Sequence, residues 1–229
     1  MLVPPGDYLR RVAAICRRHG ILLIVDEVMT GIGRTGKPFA VDHWGVVPDI
    51  LLMGKGLSGG YFPISALATS AEFVMCLVRG GQRPMYHTYD AHPAACAAAD
   101  KVLEIIESEG LLNRVERLAP VMKQKMQRVA AHPQVAEVRG KGLLYAIEVV
   151  RDRDTLERYP ATESITLKLV KACLRRDCFV YFGGTGQVRD ILLIAPHFTI
   201  SDSEIDRIVT TLLEALDEVC GGAADHYEF

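Results

Sequence analysis

The chain has 229 residues, 49% of them hydrophobic, with 26 basic and 28 acidic side chains and a pI near 6.4. That length and apolar content allow a sizeable core in one or two domains, and the balanced charge leaves no electrostatic footprint for nucleic acid or an anionic membrane. The opening residues do not read as a signal peptide and no run of about 18 apolar residues occurs, and six scattered cysteines without Cys-x-x-Cys or Cys/His spacing read as buried, reduced thiols of a cytoplasmic protein rather than a zinc site.

A proline turn opens the chain and a helix follows. Tyr8, Leu9, Val12, Ala13, Ile15 and Cys16 fall at helical spacing, Arg10, Arg11, Arg17 and Arg18 lie off that face, and Gly20 suits the C-terminal stop. Two short apolar runs come next, Ile21 to Val25 and Ile50 to Met53. Each is bounded by breakers and is expected to be a buried strand of a mainly parallel sheet. The first runs into Asp26 and Glu27, the second into Gly54, Lys55 and Gly56. Charge at the carboxyl end of such strands sits where open α/β sheets bind ligands, and the glycines around Lys55 allow a close approach. A lysine amine can form a Schiff base with a carbonyl, and an aspartate can hold the protonated ring nitrogen of pyridoxal phosphate. Taken singly, Asp26 also reads as a helix cap or loop acid, and Lys55 as a solvated turn residue.

Downstream, Ile64 to Ala68 reads as a strand, Thr69 to Val78 as a helix, and Pro84 to Pro93 as a second functional loop. Ala94 to Val129 is helical, broken at Gly110 and kinked or restarted at Pro120. From Val135 the pattern changes to a smaller α/β unit. It has a strand pair around Arg139 to Gly142, a helix over Ile165 to Arg175, and strands at Phe179 to Phe182 and Ile191 to Ala195. Ser201 and Glu204 form a capping box before a last helix, Ile205 to Val219, and the tail 221–229 is expected to fray.

Three stretches taken together go further than any single residue: DEVMTGIGRTGKPFA, PDILLMGKGLSGGYFPISA and HTYDAHPAACAAA. In this order they resemble the class III, ω-type aminotransferases of the pyridoxal phosphate fold type I superfamily, matching only the C-terminal part of that family. The resemblance implies an α/β fold: the C-terminal part of a large domain with a mainly parallel sheet, plus a small C-terminal α/β domain. Its boundaries would be residues 1–98 for the partial cofactor-binding domain, 99–132 for connecting helices and 133–229 for the small domain.

The resemblance also assigns roles. Lys55 would carry pyridoxal 5'-phosphate as a Schiff base and act as general base and acid. Asp26 would keep the ring nitrogen protonated, Val28 would pack on the ring face, and Thr88 would donate to the phosphate of a neighbouring subunit's cofactor, which implies a homodimer or a complementing N-terminal half. Met29 stands where some relatives carry a glutamine, and a thioether cannot donate that hydrogen bond. Arg34 is expected to brace its loop, with a substrate or cofactor anion as the alternative role, Glu27 to have a structural partner, and His92 to make a structural hydrogen bond. Asp90 and Ala91 replace the smaller pairs of many relatives. Arg189 is a candidate for the substrate carboxylate. The implied reaction moves an amino group from an amino acid or ω-amine to a keto acid, pyruvate or 2-oxoglutarate. Asp26 and Lys55 are shared with fold type I aminomutases, racemases and decarboxylases, and these alternatives stay open at this point, as does a non-catalytic fragment.

Overall fold

The computed structural model describes residues 1–83, 87–185 and 188–221, with the backbone alone at 185, 188 and 189. It divides into two compact units, one of Pro4–Glu116 and one of Met1–Val3 with Arg117–Phe229.

In the first unit, α1 (Tyr8–His19) ends on Gly20, whose φ of 63° closes the helix with N–H bonds back to Arg17 and Cys16. Three strands follow: β1 (Ile24–Asp26), β2 (Ile50–Met53) and β3 (Ala66–Thr69). β1 and β2 are parallel, β2 and β3 antiparallel. The two apolar runs read as parallel strands are therefore parallel, and β3 makes this three-stranded sheet mixed. The link 54–65 carries only one 3-10 turn (Lys55–Ser58) and no crossover helix, so the chain reverses direction. β1 is also shorter than its apolar run. Leu23 is held at the strand entrance instead, where its N–H donates to Asp49 Oδ2 at 2.7 Å and its carbonyl accepts from the Asp49 N–H.

Register fixes the two faces of this sheet. Ile24, Ile50 and Thr69 align, as do Asp26, Leu52 and Leu67, so these six share one face. The opposite face is covered. Val25 packs with Leu9 and Ala13 of α1 on a cluster of Val41, Trp44 and Val46, and Met53 and Ala66 pack on Ile32, Leu57 and Ala99. The first face is open: Ile24 is 56% exposed and Leu67 59%.

α2 (Ala71–Arg79) starts after Ser70, whose Oγ accepts the Phe73 N–H at 3.1 Å. Thr69, placed in that helix by its sequence, belongs to β3 and donates its hydroxyl to the Asp49 carbonyl. α3 (Pro93–Ser108) and α4 (Leu111–Ala130) are separated at Gly110, φ 62°, and Pro120 lies within α4 without ending it.

The second unit is an antiparallel sheet with helices. Its strands are β4 (Val135–Lys141), β5 (Leu144–Val149), β6 (Tyr181–Thr185) and β7 (Val188–Ile194), in the order β4-β5-β7-β6. α5 (Ile165–Leu174) packs on β6, β7 and α6 (Asp202–Cys220). Ile147, Leu192, Leu169, Ile205, Leu212 and Leu216 are fully buried, each worth about 1.5–3 kcal/mol. Ser201 and Glu204 close a reciprocal capping box on α6.

The six cysteines are free thiols. Cys173 is buried, but Cys76 and Cys96 are exposed because each sits on the outer side of its helix, so buried thiols describe only part of the set. Among the described residues no group of His, Cys, Asp or Glu is arranged to hold a metal ion, and no helix is long and apolar enough to cross a membrane. The tail from 222 and the loop start at 84–86 lie outside the described residues.

Candidate active site

The first unit carries the site. β1 ends on Asp26, level with Leu52 of β2, and the Glu27 N–H extends the ladder by donating to the Leu52 carbonyl at 2.9 Å. β2 ends at Met53, and Lys55 follows two residues later. Two adjacent parallel strands thus deliver an acid and an amine at their carboxyl ends, and both side chains are exposed.

Local geometry explains the neighbours. Asp26 Oδ1 accepts the Val28 N–H at 2.9 Å, which folds the chain tightly behind the carboxylate. Val28 then lies over the buried Gly54: a Cβ built on that glycine would sit 3.4 Å from Val28 Cγ1. Lys55 opens the 3-10 turn with φ 41°, a left-handed conformation unusual for a residue with a Cβ. The Leu57 N–H bonds back to the Gly54 carbonyl, and Leu57 and Ser58 are buried beneath the turn.

Glu27 points the other way from Asp26 and is 1% exposed. Its Oε1 accepts the Val41 N–H at 2.9 Å and its Oε2 accepts the Thr30 hydroxyl, so it has the structural partners its sequence suggests and braces the loop. Gly31 is required here, since a Cβ would approach the Glu27 carbonyl oxygen to 2.8 Å. Arg34 is half-buried in the same loop, and burial lowers its guanidinium pKa.

Thr88 sits in a separate exposed turn. The His87 N–H donates to Asp90 Oδ2 at 2.7 Å, and the Asp90 N–H donates to the His87 carbonyl at 2.9 Å. Ala91 passes through φ 52° into His92, the N-cap of α3. The expected structural hydrogen bond from His92 is not a cap bond. Its ring stacks on Phe62 instead, centroids 5.4 Å apart and 26° between planes, with Tyr89 tilted on it at 6.4 Å. Sequence pattern missed this contact because it joins residues far apart in the chain, with no motif linking them. Met29 is exposed. Gly186 and the side chain of Arg189 lie outside the described residues.

The arrangement brings Asp26, Val28 and Lys55 together and leaves Thr88 on a turn of its own. Its chemistry fits pyridoxal phosphate: a carboxylate for a ring N–H, an apolar cover for a ring face, a primary amine for an aldehyde and a hydroxyl for a phosphate oxygen.

Comparison with known proteins agrees with this. The family model for class-III aminotransferases matches residues 1–216. The chain is 40% identical over 223 residues to the uncharacterized aminotransferase YodT of Bacillus subtilis (strain 168), covering 95% of this chain and 50% of the relative. It is 38% identical over 223 residues to a leucine/methionine racemase of Thermococcus litoralis, covering 96% and 47%. A solved Bacillus anthracis aminotransferase superposes with a TM-score of 0.88 at 37% identity, over 95% of this chain and 49% of that one. The chain spans about half the length of the curated relatives it matches.

Proposed function

The chain belongs to the class III aminotransferases, and from that premise we propose that Asp26, Val28, Lys55 and Thr88 hold pyridoxal phosphate for the transfer of an amino group from an amino acid or ω-amine to pyruvate or 2-oxoglutarate. The observation that carries this reading is the pair of adjacent parallel strands ending on Asp26 and just before Lys55.

Bound pyridoxal phosphate supplies an electron sink for the charge that develops on the substrate carbon. Asp26 would accept the hydrogen bond of the ring N–H and keep that proton in place. Val28 packs on the ring. Lys55 Nζ is the covalent anchor at rest. With an amine substrate in the site, the freed Nζ would act as general base toward the substrate carbon and as general acid that hands the proton on to the cofactor side. Thr88 Oγ1 donates to a phosphate oxygen, by family resemblance in a neighbouring subunit, so the working form is read as a homodimer of the cytoplasm. Residues 1–98 are read as part of the cofactor-binding domain, 99–132 as connecting helices and 133–229 as the small domain. Turnover is read as needing the half of the relatives' length that these residues do not match.

A racemase reading has one specific support, the Thermococcus litoralis relative. Amino-group transfer to added pyruvate separates the two. The cofactor assignment is tested by adding pyridoxal phosphate, reducing with borohydride and mapping the labelled peptide. The label is expected on Lys55, and preferential label on another lysine overturns the assignment.

A further inference from the structure

We infer that Cys173 and Cys178 form a modification site: hydrogen peroxide joins their thiols in a disulfide that pins the end of α5 to the chain entering β6. The pair lies in the second unit and takes no part in the amino-group chemistry.

The way α5 ends brings the two residues together. Past Leu174 the chain makes one more turn. The Asp177 N–H donates to the Leu174 carbonyl at 3.0 Å, and the Cys178 N–H donates to the Cys173 carbonyl at 3.1 Å. Asp177 takes φ 53°. Two nested bonds closing on a left-handed residue make a Schellman motif, in which the side chains of the two outer residues commonly meet. Here the outer residues are the two cysteines. With the outer bond in place their Cα atoms stand at most about 7 Å apart, and the bends along that path shorten it toward the separation a disulfide spans. The turn is also held from outside. Arg176 donates from Nε to Glu214 of α6 at 3.0 Å, its Nη1 lies 2.8 Å from Glu218, and Arg207 donates to the Arg176 carbonyl at 3.2 Å. The cysteines are thus kept as neighbours by contacts that do not depend on a bond between the sulfurs.

The two thiols are suited to different parts. Cys173 is fully buried and Cys178 is partly exposed. Burial pushes the Cys173 thiol up to about 12, and a charge on Cys178 pushes it further, which puts the sulfurs within electrostatic reach of each other. Burial raises Cys178 as well, while Arg207 draws it down. Cys220 of the same unit is engaged elsewhere, with the Tyr159 hydroxyl.

Cys178, the thiol that solvent reaches, reacts first. Its thiolate attacks one oxygen of hydrogen peroxide, the O–O bond breaks, and a sulfenic acid forms as hydroxide leaves and is protonated to water. The Cys173 sulfur then attacks the Cys178 sulfur. The S–S bond forms, the S–O bond breaks, and the oxygen leaves as a second water with the Cys173 proton. Two thiols have lost two electrons and two protons to one peroxide. Both thiols are raised, so the reaction is slow at neutral pH and quickens with base. A dithiol reductant reopens the bond.

The test uses the full chain carrying Cys76→Ser and Cys96→Ser, which removes exposed thiols that could link one chain to another. The reduced protein is treated with hydrogen peroxide, remaining thiols are blocked with N-ethylmaleimide, and tryptic peptides are weighed without reduction. Cleavage after Arg175 and Arg176 separates the two cysteines, so the expected product is peptide 172–175 joined through sulfur to peptide 177–189. Its initial rate is expected to rise about tenfold per pH unit between about pH 7 and 9. Cys173→Ser is expected to keep oxygen on Cys178, and Cys178→Ser to leave Cys173 as a free thiol. The oxidised chain is expected to melt no lower than the reduced one. Recovery of both cysteines as blocked thiols, under peroxide that oxidises the exposed Met29 and Met75, overturns the inference. So does Cys178 linked to another cysteine, or a lowered melting temperature, which would mean that the turn must open for the bond to form.

Discussion

Asp26 and Lys55 differ in what holds them. Asp26 leaves a strand with its carboxylate already accepting the Val28 N–H, so its orientation is set before any ligand arrives. Asp26→Asn is expected to retain measurable pyridoxal phosphate binding in the complete enzyme and to cut transamination by about 10²–10³-fold, the scale of removing one preorganised electrostatic contact. Steady-state kinetics with alanine or an ω-amine check this, and near wild-type turnover would reduce Asp26 to a strand-end cap. The placement of both residues at strand ends was legible because its signals are local: each follows an apolar run, and glycines flank the lysine. Glu27 was legible as an acid with a structural partner for the same reason, its partners Thr30 and Val41 lying in the loop that follows. His92 was only half legible. Its neighbour Pro93 announces a helix start, but nothing in the local sequence announces Phe62.

Among the elements, helix ends were easier to read than strand directions. Ser201 and Glu204 announce α6 within four positions, and Gly110 announces the break between α3 and α4. Apolar runs carry no sign of direction, so the antiparallel course of β3 was not legible, and the short link 54–65 decided it. The long-range charge pattern of the second unit was not legible at all. There Glu148 of β5, its side chain 14% exposed, lies 2.7 Å from Arg139 and 2.8 Å from Arg158. Burial pushes its carboxyl pKa up, but the hydrogen bonds and charges of the two arginines outweigh that and hold it below its ordinary 4.5. A carboxylate with a lowered folded pKa adds stability that is present above 4.5 and is lost as the pH falls through the folded value. Urea midpoints between about pH 3 and 6 should therefore fall with acid in the wild type and fall less in Glu148→Gln. Equal slopes in the two proteins would show that the cluster carries no linked proton.

At the scale of the molecule, the two units differ in how much of themselves they bury. The second has a closed core of aliphatic side chains. The first leaves one face of its sheet open, with Ile24 and Leu67 more than half exposed beside Leu52. Strands of parallel sheets are ordinarily covered on both faces, and an open apolar face is a surface for association. The 229-residue chain by itself is expected to bind a hydrophobic dye and to self-associate with rising concentration, and to show no turnover of alanine or an ω-amine with pyruvate. Sedimentation and a coupled assay check these, and a monodisperse monomer with robust turnover would overturn the expectation. The open face was foreseeable only through the family resemblance. Composition alone, at 49% hydrophobic, does not say which apolar residues find a cover.

The backbone of Lys55 bears on a different question, what selection has kept here. At φ 41° a side chain costs about 1–2 kcal/mol relative to an unstrained residue, a penalty glycine escapes. Glycines already stand on both sides, so a third would make a calmer turn and a chemically mute one. Lys55→Gly is expected to raise the unfolding midpoint of the chain, with a gain of up to about 1 kcal/mol after the greater freedom of glycine in the unfolded state is set against it. Calorimetry reads this directly, and a lowered midpoint would mean the turn is relaxed as it is. If the gain appears, folding alone would favour losing this amine, and a lineage released from the reaction would be expected to shed it early.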